Sequence, residues 1–213
     1  MPSPRPLPMP LSIRPFTVAE ARAAGVGEGR LRGRDLARPF HGVRVTAAQP
    51  LELEARCRAR LPLMRGGQVF SHATAIALHR IDLPRRLAPV DVDVAAFVPA
   101  AIPRGRGVRG HRLAAGATPV TIVRGWPVIR LEDAWCQLAA QATRRELVII
   151  GDAMLRRHYP ASDLDRMHAA VARHRGRRGH RRLVAALGDV RPGTDSVAET
   201  ELRLDAPDCR NPR

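Results

Sequence analysis

The segment Phe16–Val45, FTVAEARAAGVGEGRLRGRDLARPFHGVRV, constrains the fold of this 213-residue chain more than any other stretch. Thr17 and Glu20 are spaced as a capping box, in which a hydroxyl and a carboxylate accept the free amides at a helix start. Gly25 is expected to end that helix, because a residue without a side chain easily adopts the left-handed conformation past a helix C-terminus. A second helix is predicted over Glu28–Leu36. The segment therefore predicts two short helices joined by a tight turn.

The second helix and the residues after it have the features of a DNA-binding element. Arg30 and Arg34 are one turn apart and are expected on one helix face. Phe40–Val45 alternates like a tight hairpin, which is the position of a wing. A second helix after a short turn is the element that enters a major groove, where arginine binds guanine. The predicted DNA-binding residues of this winged helix-turn-helix are Arg30, Arg32, Arg34, Arg38, His41 and Arg44.

An ordinary helical subdomain with a solvated arginine face has the same pattern. Gly29 and Gly33 also weaken a recognition helix by roughly 1 kcal/mol each relative to alanine. The residues alone leave both interpretations open.

The chain carries 36 basic residues against 20 acidic ones, a net charge of +16, and every basic residue is arginine. Such a charge attracts nucleic-acid phosphates. The exclusive use of arginine is equally typical of GC-rich codon usage, in which case the chain is an inert basic protein. The arginines concentrate in residues 1–50, 104–112 and 156–182, and these clusters form either one surface or separate ones.

The stretch 173–182 is the densest of these clusters. It favours either a phosphate-binding loop or a solvated connection between two helices, and the sequence does not separate the two. The arginines of this secondary basic patch are Arg173, Arg175, Arg177, Arg178, Arg181 and Arg182.

Helix and strand signals alternate along the rest of the chain, so we predict an α+β fold. Val90–Val94 alternates strictly between valine and aspartate, which predicts a strand with one solvent-facing side. Arg109–Leu113 and Val120–Val123 are its candidate partner strands. From Leu131 onward the apolar spacing is helical.

The sequence gives little support for a disulfide or zinc site, for another metal site or for a membrane span. Cys57, Cys136 and Cys209 are odd in number and widely spaced, so we expect free thiols in a reducing cytoplasm and no disulfide or zinc site. His72, His79 and His111 lack a neighbouring cysteine or carboxylate, and Asp91 and Asp93 are more typical of a solvent-facing strand edge than of a magnesium site. No apolar run approaches the length of a membrane span. We therefore predict a cytoplasmic protein without catalytic residues, metal or cofactor.

The order of motifs resembles AbiEi-type antitoxins of actinobacteria, over roughly residues 16 to 165. After the N-terminal segment quoted above come VFSHATAIALHRIDLP, VDVDVAAFVPAAIPRGRGVRGHR and GWPVIRLEDAWCQLAA. Many members carry a Thr-Ser-Pro-like turn before the last helix, whereas this chain has Ile129–Asp133, so a role for that turn is not carried over.

The resemblance implies a DNA-binding autorepressor and antitoxin of a type IV toxin–antitoxin-like system. Its partners would be double-stranded DNA and a nucleotidyltransferase toxin. The implied segments are a Pro-rich mobile tail (1–12), a winged helix (13–48), an antitoxin-like domain (49–165), a basic helical segment (166–190) and the start of a nuclease domain (191–213).

The last segment gives the alternative function. In many relatives the N-terminal half is followed by an endonuclease domain of the very-short-patch-repair type, and Arg191–Arg203 resembles its opening helix. Glu199 matches the acidic residue of that helix. Metal-dependent hydrolysis needs several converging carboxylates, and the chain departs from the family before the strands that carry them. We therefore expect a catalytically incomplete remnant of the nuclease fusion and no enzymatic activity.

Overall fold

The structure is a computed structural model, and it describes residues 5–46, 51–116, 118–194 and 196–205. Cys209, one of the three predicted free thiols, lies outside these ranges. The strands are β1 (Phe16–Thr17), β2 (Leu36–Ala37), β3 (Val43–Thr46), β4 (Gln68–Phe70), β5 (Val92–Phe97), β6 (Val108–Leu113), β7 (Val120–Val123) and β8 (Trp126–Ile129). The helices are α1 (Val18–Ala23), α2 (Glu28–Leu31), α3 (Leu53–Arg60), α4 (His72–Leu78), α5 (Leu131–Leu138), α6 (Arg144–Met154), α7 (Leu164–Arg173), α8 (His180–Asp189) and α9 (Val197–Asp205).

The predicted α+β class is confirmed. A small antiparallel sheet of order β1-β3-β2 accompanies the N-terminal helices, and a mixed sheet has the order β6-β5-β4-β8-β7. The C-terminal part is helical. The chain divides into two compact units, residues 1–68 with 89–112 and residues 69–88 with 113–213. Among the described residues, no helix is long and apolar enough to cross a membrane.

The predicted first helix of the N-terminal unit is confirmed with both of its caps. The Thr17 hydroxyl accepts the Glu20 amide at 3.0 Å, and the Glu20 carboxylate accepts the Thr17 amide at 2.6 Å. The backbone bond from Thr17 is the main reason that the pKa of Glu20 is lowered. Past the helix, Gly25 has a φ of +75° and donates to Arg22, while Val26 donates to Ala21. These two bonds form a Schellman motif, which turns the chain sharply into α2.

The prediction of a helix over Glu28–Leu36 is wrong in length. Helix α2 has a single turn, and residues 36–37 form β2, which pairs with Val45 and Thr46 of β3. Glycine at position 33 leaves room for the pair between Arg30 and Asp35. A Cβ atom there would lie 2.5 Å from the Asp35 carboxylate and 2.6 Å from the Arg30 guanidinium. Arg34 consequently lies in the connection to β2 and not on a helix face with Arg30.

Apolar side chains from both helices and both edge strands form the core under this helical pair. Leu11, within the predicted tail, belongs to the same core and is 3% exposed. The other buried members are Phe16, Ala21, Val26, Leu31 and Leu36.

The expectation of a solvent-facing side on the valine–aspartate strand is wrong. Strand β5 is buried from Val92 to Ala96, and Asp93 is 2% exposed. The Asp93 carboxylate lies 2.9 Å from Nε2 of His111 on β6. A strand inside a sheet that is covered on both faces buries both of its sides, and a hydrogen bond then compensates the buried carboxylate.

The second unit places two strands and a fully buried helix together. Val120–Val123 pairs with β8 in antiparallel register, and β4 pairs with β8 in parallel through Phe70 and Val128. The Trp126 ring lies 6.0 Å from the Phe70 ring, centroid to centroid. Helix α5 is buried at every position. The predicted helical pattern after Leu131 is thus confirmed.

A buried carboxylate fixes the last helix to this unit. Asp152, 1% exposed on α6, accepts the Arg191 amide at 2.8 Å with one oxygen. Its other oxygen accepts the Thr200 hydroxyl at 2.8 Å and the Arg203 guanidinium at 2.6 Å. Helix α9, which contains Glu199, therefore packs on α6 through a cluster of hydrogen-bonded polar groups around Asp152.

Replacing Asp152 by alanine is expected to lower the free energy of unfolding by about 3 kcal/mol, because the buried partners lose a carboxylate that satisfies them. The matched control is Asp189→Ala, which removes a more exposed pair with Arg144 and should cost less than about 1 kcal/mol. Urea unfolding of both variants measures the difference. Equal losses would contradict the anchoring role of Asp152.

Glu146 makes the stability of this unit depend on pH. Its carboxylate pairs with Arg86 and accepts the Thr143 amide at 2.8 Å. The hydrogen bond from Arg86 is the largest cause that lowers the Glu146 pKa from 4.5 to about 2. A carboxyl group with a depressed pKa contributes stability above its unfolded pKa, and this contribution is lost as the pH falls through the folded value.

We therefore expect the stability difference between the wild type and Glu146→Gln to be constant above about pH 5. It should shrink as the pH is lowered from 4.5 to about 2. Urea unfolding at a series of pH values measures this difference. A difference independent of pH in that window would show that the Arg86 pair does not hold the proton off Glu146 in solution.

Candidate nucleic-acid interface

Arg30, the first of the six predicted DNA-binding residues, is tied into the fold. Its guanidinium forms a bidentate pair with Asp35, with Nη1–Oδ1 and Nη2–Oδ2 distances of 2.9 and 2.6 Å. Its Nε donates to the Arg5 carbonyl at 2.5 Å, and the side chain is only 13% exposed. The hydrogen bonds from Arg30 are the main cause that lowers the Asp35 pKa. Arg30 thus fastens α2 to the connection before β2.

Arg44 also bonds within the protein. Its Nε donates to the carbonyl of Leu31 at 3.0 Å, and Nη1 donates to Val43 at 3.0 Å. Burial is the main cause that lowers the pKa of Arg44, with the nearby charge of Arg38 second. The carbonyl at the end of a helix is otherwise without a partner, so Arg44 caps α2 from the third strand of the small sheet.

The other four predicted residues are exposed. They are Arg32 at the end of α2, Arg34 in the following connection, Arg38 after β2, and His41 in the turn before β3. Nη2 of Arg38 lies 3.4 Å from the Arg32 carbonyl, which places these two arginines side by side. Among the described residues, none of the four forms an ion pair with a carboxylate.

The acidic residues of this module are neutralised by other arginines. Glu20 pairs with Arg14 at 3.1 Å, Glu28 pairs with Arg22 at 2.5 Å, and Asp35 pairs with Arg30. The positive charge of Arg32, Arg34 and Arg38 is consequently not compensated locally. A group of uncompensated arginines on a small module attracts phosphate anions.

The secondary basic patch likewise contains arginines that are bonded within the protein and arginines that form no ion pair among the described residues. Arg173 forms a bidentate pair with Asp133 at 3.1 and 2.8 Å, and the hydrogen bond from Asp133 is the main cause that raises the Arg173 pKa. Nη1 of Arg182 donates to the carbonyls of Ala139 and Ala142 at 3.0 and 2.7 Å, beyond the end of α5. Arg182 bonds only to backbone carbonyls, and within the described residues Arg175, Arg177, Arg178 and Arg181 also form no ion pair.

The histidines and cysteines lie in separate places. His79 contacts the Ile129 carbonyl at 3.0 Å, whereas His111 contacts Asp93. The described residues contain no group of three side chains that could hold a metal ion. Cys57 and Cys136 are buried free thiols, as predicted, and burial raises the pKa of Cys57 to about 12. Thiols in that state are unreactive.

One unusual residue was missed by the sequence-based predictions. Arg60, at the last position of α3, is 7% exposed and has no carboxylate partner in the described part of the chain. Its signal in the sequence is weak: it precedes Leu61–Leu63, an apolar tripeptide, at the end of a helix with several other arginines. Nothing in such a stretch distinguishes a buried arginine from an exposed one.

The fold defines an α+β protein with a small antiparallel sheet and short helices at its N-terminus. No protein-family model and no curated protein matches the sequence. A crystal structure, that of the Rv2827c protein from Mycobacterium tuberculosis, is similar with a TM-score of 0.54 and 16% identity. The similarity covers 82% of this chain and 71% of that chain, and at this identity it concerns the fold.

Because Arg30 is bonded within the fold, its replacement is expected to lower the stability of the protein. Arg30→Ala removes two charge-assisted bonds and is expected to lower the free energy of unfolding by about 2 kcal/mol. Arg34→Ala, the matched control, removes an exposed side chain and should stay within about 0.5 kcal/mol of the wild type. Urea unfolding separates the two variants. An Arg30→Ala variant as stable as the wild type would mean that the pair with Asp35 contributes nothing to the stability of the module.

Proposed function

We propose that the chain is a DNA-binding transcriptional repressor whose N-terminal winged helix-turn-helix occupies the operator of its own gene. The observation that carries the proposal is the uncompensated group Arg32, Arg34 and Arg38, next to a short helix that follows a tight turn. Their neighbours with acidic side chains already bind other arginines. These three guanidinium groups are therefore available for an external anion.

In this proposal the six predicted residues divide into three roles. Arg32 and Arg34 contact the major groove, where a bidentate pair with guanine contributes roughly 1–3 kcal/mol of discrimination. Arg38 and His41 hold the wing side of the module against phosphates or the minor groove. Arg30 and Arg44 are positioning residues that fix α2 relative to the small sheet.

The antitoxin part of the proposal is supported by the resemblance to AbiEi-type antitoxins. The α+β fold is compatible with it. On this basis the proposed partners are double-stranded DNA and a nucleotidyltransferase toxin, and the proposed compartment is the cytoplasm.

We do not propose a nuclease. Glu199 lies on α9, and the described residues place no cluster of three metal-binding side chains there or elsewhere. The catalytically incomplete remnant stays the alternative. On that alternative, purified protein with Mg²⁺ should leave the DNA uncut.

The test is a mobility shift with the DNA upstream of the gene and a shuffled duplex of equal length. We expect the upstream DNA to stay bound at salt concentrations that release the shuffled one. Arg34→Ala should weaken binding to the upstream DNA about tenfold or more and binding to the shuffled DNA much less. Arg166→Ala serves as the control, because it removes an exposed arginine that pairs with Asp163 in the other unit.

Three outcomes would count against the proposal. Equal binding to both duplexes, lost together as salt rises, would leave only a basic protein. An equal loss on both duplexes in Arg34→Ala would reduce this residue to a phosphate contact. An effect of Arg166→Ala as large as that of Arg34→Ala would mean that total charge and not the module determines binding.

A further inference from the structure

The first unit contains a cavity of about 420 Å³, of whose lining residues the repressor proposal uses only His41. Arg60 from the end of α3 lines it on one side, and His41 lines it beside the small sheet. The loop before β6 closes another side with residues 101–106. A volume of this size lies in the range of small-ligand sites.

Arg60 is the unusual residue of this cavity. In the described part of the chain its guanidinium forms no ion pair, and its buried Nε has no hydrogen-bond partner. Its neighbour is the Phe40 ring, with the guanidinium carbon 5.8 Å from the ring centroid. Burial lowers the pKa of Arg60, yet an arginine keeps its proton in proteins.

A buried positive charge without a counter-charge is costly to desolvate, and Nε of Arg60 has lost its water without gaining a partner among the described residues. A cation–π contact with the Phe40 ring compensates only part of this cost. The remaining donors of Arg60 therefore suit an anion that enters the cavity.

The other charged groups around the cavity have the same sign. Arg65, Arg104 and Arg106 are exposed and line it, and no aspartate or glutamate among the described residues does so. Several guanidinium groups facing one concave space favour a phosphate group, which accepts bidentate hydrogen bonds.

The loop is held in place without a ligand. The Gln68 amide donates to the Ala101 carbonyl at 3.1 Å, and its oxygen accepts the Arg65 amide at 3.2 Å. Gly110 of β6 allows the loop to pack closely, because a Cβ atom there would lie 2.0 Å from the Pro103 carbonyl oxygen. A preformed site loses less conformational freedom when it binds.

We infer that this cavity is a phosphate-binding site in which Arg60 is the buried anchor and Arg104 and Arg106 are the outer contacts. The phosphate comes either from a nucleic-acid backbone or from a free phosphorylated small molecule. The site does not depend on sequence-specific repression, so it stands or fails separately from the proposed function.

The first experiment measures the thermal midpoint of the full chain against inorganic phosphate at constant ionic strength. We expect phosphate to raise the midpoint by a few degrees, since an anion that binds only the folded state stabilises it. Arg60→Met should lose this rise. Arg58→Met is the matched control, because Arg58 lies on the same helix, is exposed and pairs with Glu54.

The double variant Arg104→Gln with Arg106→Gln keeps the test valid if Arg60→Met does not fold, because both side chains are exposed. It should weaken the phosphate effect. The inference is overturned if phosphate raises the midpoint equally in the wild type and in the Arg60 variant. It is also overturned if the Arg60 variant does not fold and the double variant responds like the wild type.

Binding to the shuffled duplex at several salt concentrations identifies the source of the phosphate. If Arg60 contacts a nucleic-acid backbone, the slope of log K against log salt falls by about 1 in Arg60→Met. An unchanged slope together with a lost phosphate effect would assign the site to a free phosphorylated molecule. Either result supports a phosphate site and leaves the operator test unaffected.

Discussion

The ion pair between Arg30 and Asp35 holds the N-terminal module in its shape. It fastens a one-turn helix, which is too short to be stable by itself, to the connection that leads into β2. Arg44 on β3 holds the other end of this helix, because its guanidinium donates to the carbonyl of Leu31. With the helix fixed from both sides, the three exposed arginines around it can be presented to a ligand without further ordering of the backbone.

Local patterns predicted the parts of the structure that local interactions determine. The capping box of Thr17 and Glu20 and the glycine turn at Gly25 follow from contacts between residues close in sequence, and the α+β class follows from the local alternation of helix and strand signals. The length of α2 was mispredicted, because Gly33 and the pairing of Leu36 with a distant strand outweigh helix periodicity. Asp93 was placed on the wrong side for a related reason: burial of a strand on both faces is a property of the sheet.

In the candidate site, sequence patterns also do not predict which charged side chains are bonded within the protein. Sequence spacing nominated six arginines or histidines near the turn, but it could not separate Arg30 from Arg34. That distinction depends on a carboxylate five residues away and on the backbone carbonyl of Arg5. Arg60 was missed because its burial results from packing against Phe40 and a loop some 40 residues later in the chain.

The contacts of Arg182 and Arg173 show that some of the many arginines serve the fold itself. One guanidinium nitrogen joins two carbonyls near the end of α5, and Arg173 forms a two-pronged pair with Asp133. A lysine could also donate to two carbonyls from one nitrogen. It has no planar fork, however, and cannot reproduce the two-pronged pair that Arg173 forms with Asp133. At Arg173 the folded protein thus uses the shape of the arginine side chain as well as its charge, so a biased composition alone does not account for every arginine in the chain.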